Sequence, residues 1–542
     1  MQNAQTTNCK QKYTRSFLLA SVFLVISIVV LCLFINILNS GHMVFTLDDA
    51  YIHLALAENI MQGHYGINLN EYSAPASSIL WPFLIAPFAR LTFANYIILL
   101  ANTAFAIITL FFFWKILLPD TNDTSEKNEG KQTILSTMLI LLIPACNLIG
   151  LVFTGMEHSL QVMLAVAVIC GLSRESENSR LDWWLMPAIL LAPLVRYECL
   201  AISVPAAIYL FLRGHRKAAV TTAVGLLFAL TGFSLFLLSL GQNSLPNSVA
   251  AKSKIVSEQK TSSIIQNFVN SIESPRGVLL AVCLLFLVLQ ASNRKNSTRK
   301  RLFCATISAS IILHLLFGQF GWFSRYEIYI WAMTLAAIGF IFKPDIYNHP
   351  NNFKIHETTL LLFASTFLLC FPYLMTIPVI PVASRNIYEQ HYQMHRFVTE
   401  FYKKPVAAND IGYISYQNPA YILDLVGLAS LEALTLRVKA DQKDWMDSLA
   451  KAKGVELAMI YDDWFDNIPD NWYKLGELQL KKAHINILRD KVAFYAIKRE
   501  SYDEIYNLLE KFALTLPEGV DFEFVTNKTT TNSHNLKNNI SR

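Results

Sequence analysis

Residues 17–38 read FLLASVFLVISIVVLCLFINIL, an apolar stretch without a charged side chain. A helix of this length is long enough to cross the hydrocarbon core of a bilayer. The stretch is too long for the apolar core of a signal peptide, and no small-residue cleavage site follows it. Because Lys10, Lys12 and Arg15 precede it, the positive-inside rule predicts an uncleaved first span with its N-terminus in the cytoplasm.

The whole chain has the composition of a membrane protein. Its 542 residues are 53% hydrophobic and only 16% charged, with a mean hydropathy of +0.36, whereas soluble domains are about 25% charged. A water-soluble globule of this length has too little interior for so much apolar surface. The net charge of +5 is small for this length and is spread over short loops, which argues against a nucleic-acid-binding surface.

Further apolar runs give the predicted topology. They lie at 78–92, 95–117, 132–153, 158–172, 182–195, 198–212, 217–240, 277–291, 302–320, 327–342 and 357–379. The loop 293–301 (NRKNSTRKR) carries five basic residues and no acid, so it is predicted to be cytoplasmic. The run 78–92 is short and contains Pro82 and Pro87, so it is predicted to be interfacial. We therefore expect an α-helical polytopic membrane protein with about eleven transmembrane helices.

The composition becomes mixed polar near residue 383. Strand-like runs follow at 405–414, 421–428, 455–461 and 492–497, with a helical pattern at 440–453. The tail 526–542 has too few apolar residues to fold and is predicted to be disordered. We therefore expect a transmembrane domain at 1–382, with a first external loop at 39–77, followed by a soluble extracytoplasmic α/β domain at 383–525.

Ionisable side chains collect on the outer side of the predicted topology. Such groups are costly near hydrocarbon unless they are paired or hydrated, so their gathering at one face predicts a functional site. The members are Asp48, Asp49, His53, Glu58, Glu157, His158, Arg196, Glu198, Lys252, Arg325 and Glu327.

Two acidic segments of this set have alternative interpretations. Asp48 and Asp49 open the segment LDDAYIHLALAENIMQGH, which is predicted to be an external amphipathic helix ending at Gly63. One Asp can be the N-cap, but only one residue takes that position, which leaves the other carboxylate as a general base for a hydroxyl nucleophile. The residues 154–157 (TGME) fit a capping box, in which Glu157 only holds a helix end, as well as they fit a functional Glu157.

The basic members of the set suit an anionic ligand. Arg196 and Arg325 each begin an Arg-Tyr-Glu triplet, and the guanidinium fork matches phosphate geometry. The alternatives are arginines that snorkel at the interface and, for Lys252, an ordinary external turn. The sequence contains no glycine-rich phosphate loop, His/Cys metal cluster, nucleophile elbow or HExxH motif, which argues against ATP hydrolysis and against serine or zinc hydrolysis.

Six segments of the chain resemble one known family. They read LDDAYIHLALAENIMQGHYGINLNEYSAPASSILWPFL (47–84), TGMEHSLQVMLAVAV (154–168), APLVRYE (192–198), LPNSVAAK (245–252), WFSRYEIYIWAM (322–333) and NDIGYISYQNPAYILDLVGL (409–428). In content and order along residues 15–500 they resemble the GT-C class of polyprenyl-phosphate-sugar glycosyltransferases, in particular the branch of terminal arabinofuranosyltransferases. The Asp-Asp loop is the most specific of these segments.

The resemblance implies an inverting glycosyltransferase of cell-envelope lipopolysaccharide or polysaccharide biosynthesis. It would move a pentose or hexose from a polyprenyl-phosphate donor to a glycan or glycolipid acceptor on the outer face of the membrane. Asp48 or Asp49 would be the catalytic base, and the donor phosphate would bind to Arg196, Arg325 and Lys252. The side chains that would bind the sugar or acceptor, or orient the cations, are His53, Glu157, His158, Glu198 and Glu327.

The resemblance also implies a place in the cell and a set of partners. The protein would lie in a bacterial inner membrane with a cytoplasmic N-terminus and a periplasmic C-terminal domain. Its partners would be the lipid-linked donor, the acceptor and the bilayer, without nucleic acid. No cofactor is implied with certainty; a divalent cation is compatible with the chemistry, although the sequence has no metal signature.

Two other functions fit the same residues. A transporter or lipid flippase would use the ionisable groups as a path, but such proteins usually place them near the bilayer midplane, whereas here they lie at predicted outer boundaries. A non-enzymatic envelope assembly protein would bind a partner through the outer domain. In that case, replacing both aspartates would leave its function intact.

Overall fold

The computed structural model describes residues 2–119, 128–249, 260–321, 323–348, 371–438 and 444–525. The chain divides into two units, Met1–Arg385 and Asn386–Arg542. The predicted tail 526–542 lies outside the described residues.

Long apolar runs become helices in the first unit, because a helix satisfies all its interior backbone groups without a partner segment. Among the described residues, six helices are long and apolar enough to cross a membrane: Tyr13–Leu38, Ala94–Leu117, His158–Asn178, Arg216–Ser239, Pro275–Ser292 and Thr298–Phe317. Shorter apolar helices lie at Gly130–Ala145, Leu185–Val195, Tyr197–Leu212 and Ile328–Pro344. The architecture is that of a helical membrane protein. Most of the predicted run 357–379 lies outside the described residues.

The helices of the first unit are numbered in chain order. In chain order they are α1 (Gln2–Leu38), α2 (Asp49–Ile60), α3 (Trp81–Ile85), α4 (Ala94–Leu117), α5 (Asn128–Ala145), α6 (Leu148–Phe153), α7 (His158–Asn178), α8 (Leu185–Val195), α9 (Leu200–Leu212), α10 (Arg216–Ser239), α11 (Lys260–Glu273), α12 (Pro275–Ser292), α13 (Thr298–Phe317), α14 (Ile328–Asn348) and α15 (Ile380–Ile387). Single 3₁₀ turns at Ala86–Phe88 and Tyr197–Cys199 extend α3 and precede α9.

Two sequence predictions for this unit are corrected. The run 132–153 is not one helix, because Asn147 adopts a left-handed conformation (φ 47°) that separates α5 from α6; Asn tolerates this conformation better than most residues. The helix α2 is not amphipathic: residues 50–57 and Asn59 are buried, since that stretch has no polar stripe to face water. It ends at Ile60, three residues before the predicted end at Gly63.

The second unit is an α/β structure built on a mixed sheet. Its strands are β1 (Val406–Ala408), β2 (Ile422–Asp424), β3 (Leu457–Ile460), β4 (Tyr473–Leu480), β5 (Lys491–Ala496) and β6 (Val520–Phe524). Their order in the sheet is β2-β1-β3-β5-β4-β6. The pairs β1/β2 and β1/β3 are parallel, and the other three pairs are antiparallel.

Helices precede or connect these strands. They are α16 (Gln393–Arg396), α17 (Gly412–Ser415), α18 (Leu431–Val438), α19 (Trp445–Ala452) and α20 (Arg499–Ala513), with π-helical turns at Tyr388–Tyr392 and Phe397–Tyr402. One apolar core, which includes Leu423, Leu449 and Tyr495, packs the sheet against α18 and α19. Each of the four predicted strand runs contains a strand, and the predicted helix is present as α19, but the end of the run 405–414 is wrong because residues 412–414 belong to the helix α17. The strands β4 and β6 were not predicted.

Candidate functional site

Four segments of the first unit supply the predicted polar residues, and each segment interrupts helical structure. Asp48 and Asp49 begin α2, Glu157 precedes α7, Arg196 separates α8 from α9, and residues 323–327 precede α14. The turn before Glu157 needs a glycine, because Gly155 has φ +68° and a Cβ there would lie 2.5 Å from the Phe45 ring. Arg196 is extended (φ −152°, ψ 133°), so its side chain leaves the helical path of its neighbours.

Arg196 lies at the centre of a buried ion-pair network. Its Nη1 donates to Glu157 Oε1 at 2.9 Å and to Ser77 Oγ at 3.1 Å. Its Nε and Nη2 donate to the two carboxylate oxygens of Glu198 at 3.2 and 2.8 Å. The side chains of Arg196 and Glu157 are 3% and 0% exposed, so the surrounding protein holds both charges in one fixed geometry.

Arg325 forms a second ion pair, with Asp49 at the start of α2. Its Nη2 donates to Asp49 Oδ2 at 2.5 Å and to the Tyr326 hydroxyl at 3.2 Å, and Nη1 contacts the Met156 thioether. The Arg325 side chain is 2% exposed, whereas that of Asp49 is 41% exposed. Within the described residues, Arg325 Nε has no hydrogen-bond partner. This buried guanidinium therefore keeps one donor for a ligand.

The ring of Tyr326 brings the two arginines together. The Cζ atoms of Arg196 and Arg325 lie 5.8 and 5.0 Å from its centroid, within the range of cation–π attraction. Two cations from separate helix breaks therefore converge on one aromatic side chain that is itself partly exposed.

His53 lies beside this network on α2. Its Nε2 is 3.5 Å from Glu157 Oε2, and the side chain is buried. Burial lowers the pKa of His53 and outweighs the opposing effect of the Glu157 and Asp49 carboxylates. The imidazole is therefore neutral at neutral pH and adds no third cation to the site.

The helix-capping interpretations of the acids are wrong. Asp48 occupies the N-cap position of α2, and Glu157 that of α7, but neither side chain makes a capping hydrogen bond. A capping box would place Thr154 at the N-cap and Glu157 three residues later, whereas the Glu157 carboxylate instead accepts from Arg196. These acids therefore do not serve to hold the ends of their helices.

Glu327 belongs to a different group of side chains from its predicted partners. Its Oε1 accepts from Arg276 Nη1 at 2.7 Å and from the Tyr373 hydroxyl at 3.3 Å, and its Oε2 accepts from the backbone N–H of Gly321 at 2.9 Å. The two Arg-Tyr-Glu triplets are thus not equivalent, because Glu198 pairs with the arginine of its own triplet and Glu327 does not.

The remaining predicted residues have separate positions. His158 is fully buried at the start of α7. Lys252 lies outside the described residues, so its predicted phosphate contact stays a prediction. Glu58 pairs with exposed Arg90 at 3.5 Å, on the far end of α2 from Asp49.

Sequence reasoning missed Ser77, Tyr326 and Arg276. Ser77 lies in the quoted segment 47–84, but its role depends on a contact with Arg196, which is 119 positions away in the sequence. Tyr326 is the central residue of the second Arg-Tyr-Glu triplet, and the recurrence of that triplet was the available signal. Arg276 follows a proline at a helix start, where no local pattern indicated a partner.

Within either unit by itself, the described residues contain no group of three His, Cys, Asp or Glu side chains placed to hold one metal ion.

The comparisons with known proteins concern mainly the second unit. A family model described as a domain of unknown function, DUF8728, matches residues 385–496. These residues contain β1 to β5 of the sheet. No curated protein matches the chain.

Proposed function

We propose that the chain is an inverting glycosyltransferase of the GT-C type, which transfers a sugar from a polyprenyl-phosphate donor to a cell-envelope glycan or glycolipid. One observation carries the proposal. Two buried arginines, Arg196 and Arg325, converge on Tyr326 beside the partly exposed carboxylate of Asp49. Fixed cations next to an accessible carboxylate are what the displacement of a phosphate leaving group by a hydroxyl requires.

The reaction needs one proton acceptor and one site for developing negative charge. The acceptor hydroxyl oxygen attacks the anomeric carbon, and its proton passes to the carboxylate of Asp48 or Asp49. The bond between the anomeric carbon and the phosphate oxygen breaks with its electron pair, which leaves polyprenyl phosphate. Arg196 and Arg325 stabilise that charge, an effect of several kcal/mol where such donors are preorganised, roughly 3 kcal/mol each.

The ion pairs of the network position these cations. Glu157 and Glu198 hold the Arg196 guanidinium in one plane, and Asp49 holds Arg325. Arg325 Nε, which has no hydrogen-bond partner among the described residues, is the donor that we assign to the leaving phosphate.

Charge balance argues for an additional cation in the donor complex. Two guanidinium groups face the three carboxylates of Asp49, Glu157 and Glu198, so the network has no excess positive charge for a phosphate. Lys252 or a divalent cation would supply it. Loss of transfer on chelation with EDTA, restored by Mg²⁺ or Mn²⁺, would distinguish the cation from the lysine.

We place the site on the periplasmic side of a bacterial inner membrane. The basic loop 293–301 supports this orientation through the positive-inside rule. The number of spans that we propose is eleven: the six long helices, the four shorter apolar helices and the run 357–379. The second unit would then lie in the periplasm.

The test is sugar transfer by full-length protein in nanodiscs, supplied with a panel of polyprenyl-phosphate sugars. We expect Asp48→Asn or Asp49→Asn to reduce transfer at least a hundredfold, with donor binding retained. Glu58→Gln is the matched control, because Glu58 is an acid of the same helix and forms its ion pair with exposed Arg90. Equal activity in all three variants would exclude an aspartate base. No transfer by the wild type with any donor would favour a transporter or an assembly protein.

A further inference from the structure

A polar cleft lies in the first unit beside the Glu327 group. Its volume is about 540 Å³, and it lies between α11, the start of α12 and residues 318–321. This volume is within the range of small-ligand sites, about 300 to 1,000 Å³. The residues that matter for its chemistry are Asn267, Asn270, Ser271, Arg276, Gln319 and Phe320.

The lining of the cleft suits a neutral, hydroxyl-rich ligand. Side-chain amides, which offer both donors and acceptors, come from Asn267, Asn270 and Gln319, and an aromatic surface comes from Phe320. None of the described lining residues is acidic. Amide groups together with an aromatic face can satisfy sugar hydroxyls and cover the apolar side of a sugar ring.

The single cation of the cleft is already neutralised. Arg276 Nη1 donates to Glu327 Oε1 at 2.7 Å, and its guanidinium carbon lies 5.0 Å from the Tyr373 ring centroid. The Glu327 side chain is 2% exposed, so this carboxylate stays with the arginine. A phosphate would meet no uncompensated positive charge among these residues, whereas a neutral saccharide needs none.

The amides of the cleft are held in position. Asn267 Nδ2 donates to the backbone oxygens of Leu316 and Gly318, both at 3.0 Å, which fixes the orientation of its amide. Asn270 Oδ1 accepts from Gln266 Nε2 at 2.9 Å. The polar groups are therefore oriented before a ligand binds, which lowers the entropic cost of binding.

The opposite face of α11 shows where the cleft lies relative to lipid. Its exposed apolar side chains are Ile264, Ile265, Phe268, Val269 and Ile272. A helix with one apolar and one polar face is typical of the membrane surface, and we therefore infer that the cleft opens at the level of the headgroups.

From this geometry we propose that the cleft binds a neutral saccharide portion of the envelope glycan that accepts the sugar. The inference rests on the proposed function for the acceptor role. It assigns acceptor recognition to α11 and residues 318–321, apart from the arginine network that binds the donor phosphate.

The test measures saccharide binding separately from transfer. Full-length protein in nanodiscs is titrated with neutral tetrasaccharides of arabinofuranose, mannose and galactose, and Kd is obtained by saturation-transfer NMR. The variant Asn270→Leu/Gln319→Leu changes two exposed side chains of the cleft, so folding is retained. Gln417→Leu, an exposed residue of the second unit, is the matched control. We expect at least a tenfold increase in Kd for the double variant and less than a twofold change for the control and for Asp49→Asn.

Each outcome bears on the inference. No binding of any tetrasaccharide by the wild type overturns it, as does displacement of the saccharide by inorganic phosphate. If sugar transfer depends on the aspartates but the double variant has an unchanged acceptor KM and an unchanged saccharide Kd, the inference is overturned. The proposed function is then left intact. Saccharide binding at the cleft without transfer from any donor overturns the acceptor role together with the proposed function.

Discussion

The substitution Arg196→Lys tests whether the guanidinium fork, and not merely a positive charge, holds the site together. Arg196 makes four hydrogen bonds from three nitrogen atoms, to Glu198, Glu157 and Ser77. The ammonium of lysine has three donors on one nitrogen, so it loses the two-nitrogen contact with Glu198. A hydrogen bond to a charged group contributes about 1.5 to 3 kcal/mol, and Glu157 stays buried with a weaker partner. We expect the free energy of unfolding to fall by about 2 to 4 kcal/mol.

Arg90→Lys is the matched control for this experiment. Arg90 pairs with Glu58 at 3.5 Å, and their side chains are 53% and 19% exposed. An exposed ion pair contributes about 0 to 1 kcal/mol, so the same chemical change should cost less than about 0.5 kcal/mol there.

The assay is denaturant unfolding of both variants and the wild type in mixed micelles, followed by tryptophan fluorescence under identical lipid conditions. A difference of less than about 0.5 kcal/mol between Arg196→Lys and Arg90→Lys would refute the reasoning. It would mean that the contacts of the fork contribute no more than those of an exposed pair. A large loss of stability in both variants would also refute the reasoning, because burial of the Arg196 pair would then make no difference.

Three further predictions concern separate parts of the chain. Burial raises the pKa of Asp424 to about 6, although three backbone N–H groups donate to its carboxylate. Because the folded state favours the protonated carboxyl, Asp424 stabilises the fold at pH values below its unfolded pKa of about 3.8. This contribution to the free energy of unfolding, about 3 kcal/mol, is lost as the pH rises through the folded pKa of about 6. Hydrogen exchange of strand amides in the full-length protein, corrected for intrinsic rates, should show this slope in the wild type but not in Asp424→Asn; a flat wild-type profile contradicts it. Replacement of Tyr326 by Leu removes the ring that both arginines face and should raise the donor KM about tenfold, since each cation–π contact contributes about 0.5 to 2 kcal/mol. Tyr326→Phe keeps the ring and should change the donor KM less than threefold in the same transfer assay. Equal effects of the two substitutions on the donor KM would show that the cation–π contacts do not contribute to donor binding. Gly155→Ala places a methyl group 2.5 Å from the Phe45 ring at φ +68°, whereas Gly214→Ala, at φ +90°, meets nothing within 4 Å. Both substitutions introduce backbone strain, but only Gly155→Ala adds a steric overlap. The Gly155→Ala protein should therefore be less stable than the Gly214→Ala protein by roughly 1 to 3 kcal/mol. Equal melting temperatures of the two variants would show that the loop at Gly155 adjusts without cost.

Hydropathy predicted the long apolar helices, because a helix that crosses a bilayer must be long and apolar regardless of the segments that it packs against. They did not predict the break at Asn147, where a left-handed residue inside an apolar run divides one predicted span into α5 and α6. The hydrogen bonds that Asn147 makes, to Ser324 O at 3.5 Å and from Thr376 Oγ1 at 3.0 Å, join positions far apart in sequence. Local patterns carry no information about such partners.

The candidate site was predicted as a set of residues, but not as a set of pairs. Its ionisable groups stood out because each is costly in an apolar context. The partners of Glu157 and Asp49 depend on how helix breaks meet, which spacing does not reveal. For the same reason the two Arg-Tyr-Glu triplets looked equivalent, while the structure gives their glutamates different arginines.

The strands β4 and β6 were missed for a different reason. In β4, charged side chains alternate with apolar ones, and the register shifts between Lys474 and Gly476. The strand therefore lacks the continuous apolar run that marked β1 to β3. Its partner β6 lies at the sheet edge, where polar side chains facing solvent are usual.

The ion pair between Asp49 and Arg325 has a consequence for biosynthesis. The two residues are separated by 276 positions, so at about 5 to 20 residues per second the ribosome needs about 14 to 55 s to deliver the arginine after the aspartate. During that interval α2, whose side chains are almost all buried in the finished protein, has no access to its final electrostatic partner. The nascent first loop must then be sheltered by lipid or by the insertion machinery. Mutations that slow insertion of the later helices should accordingly expose this loop to proteolysis before they affect the finished protein.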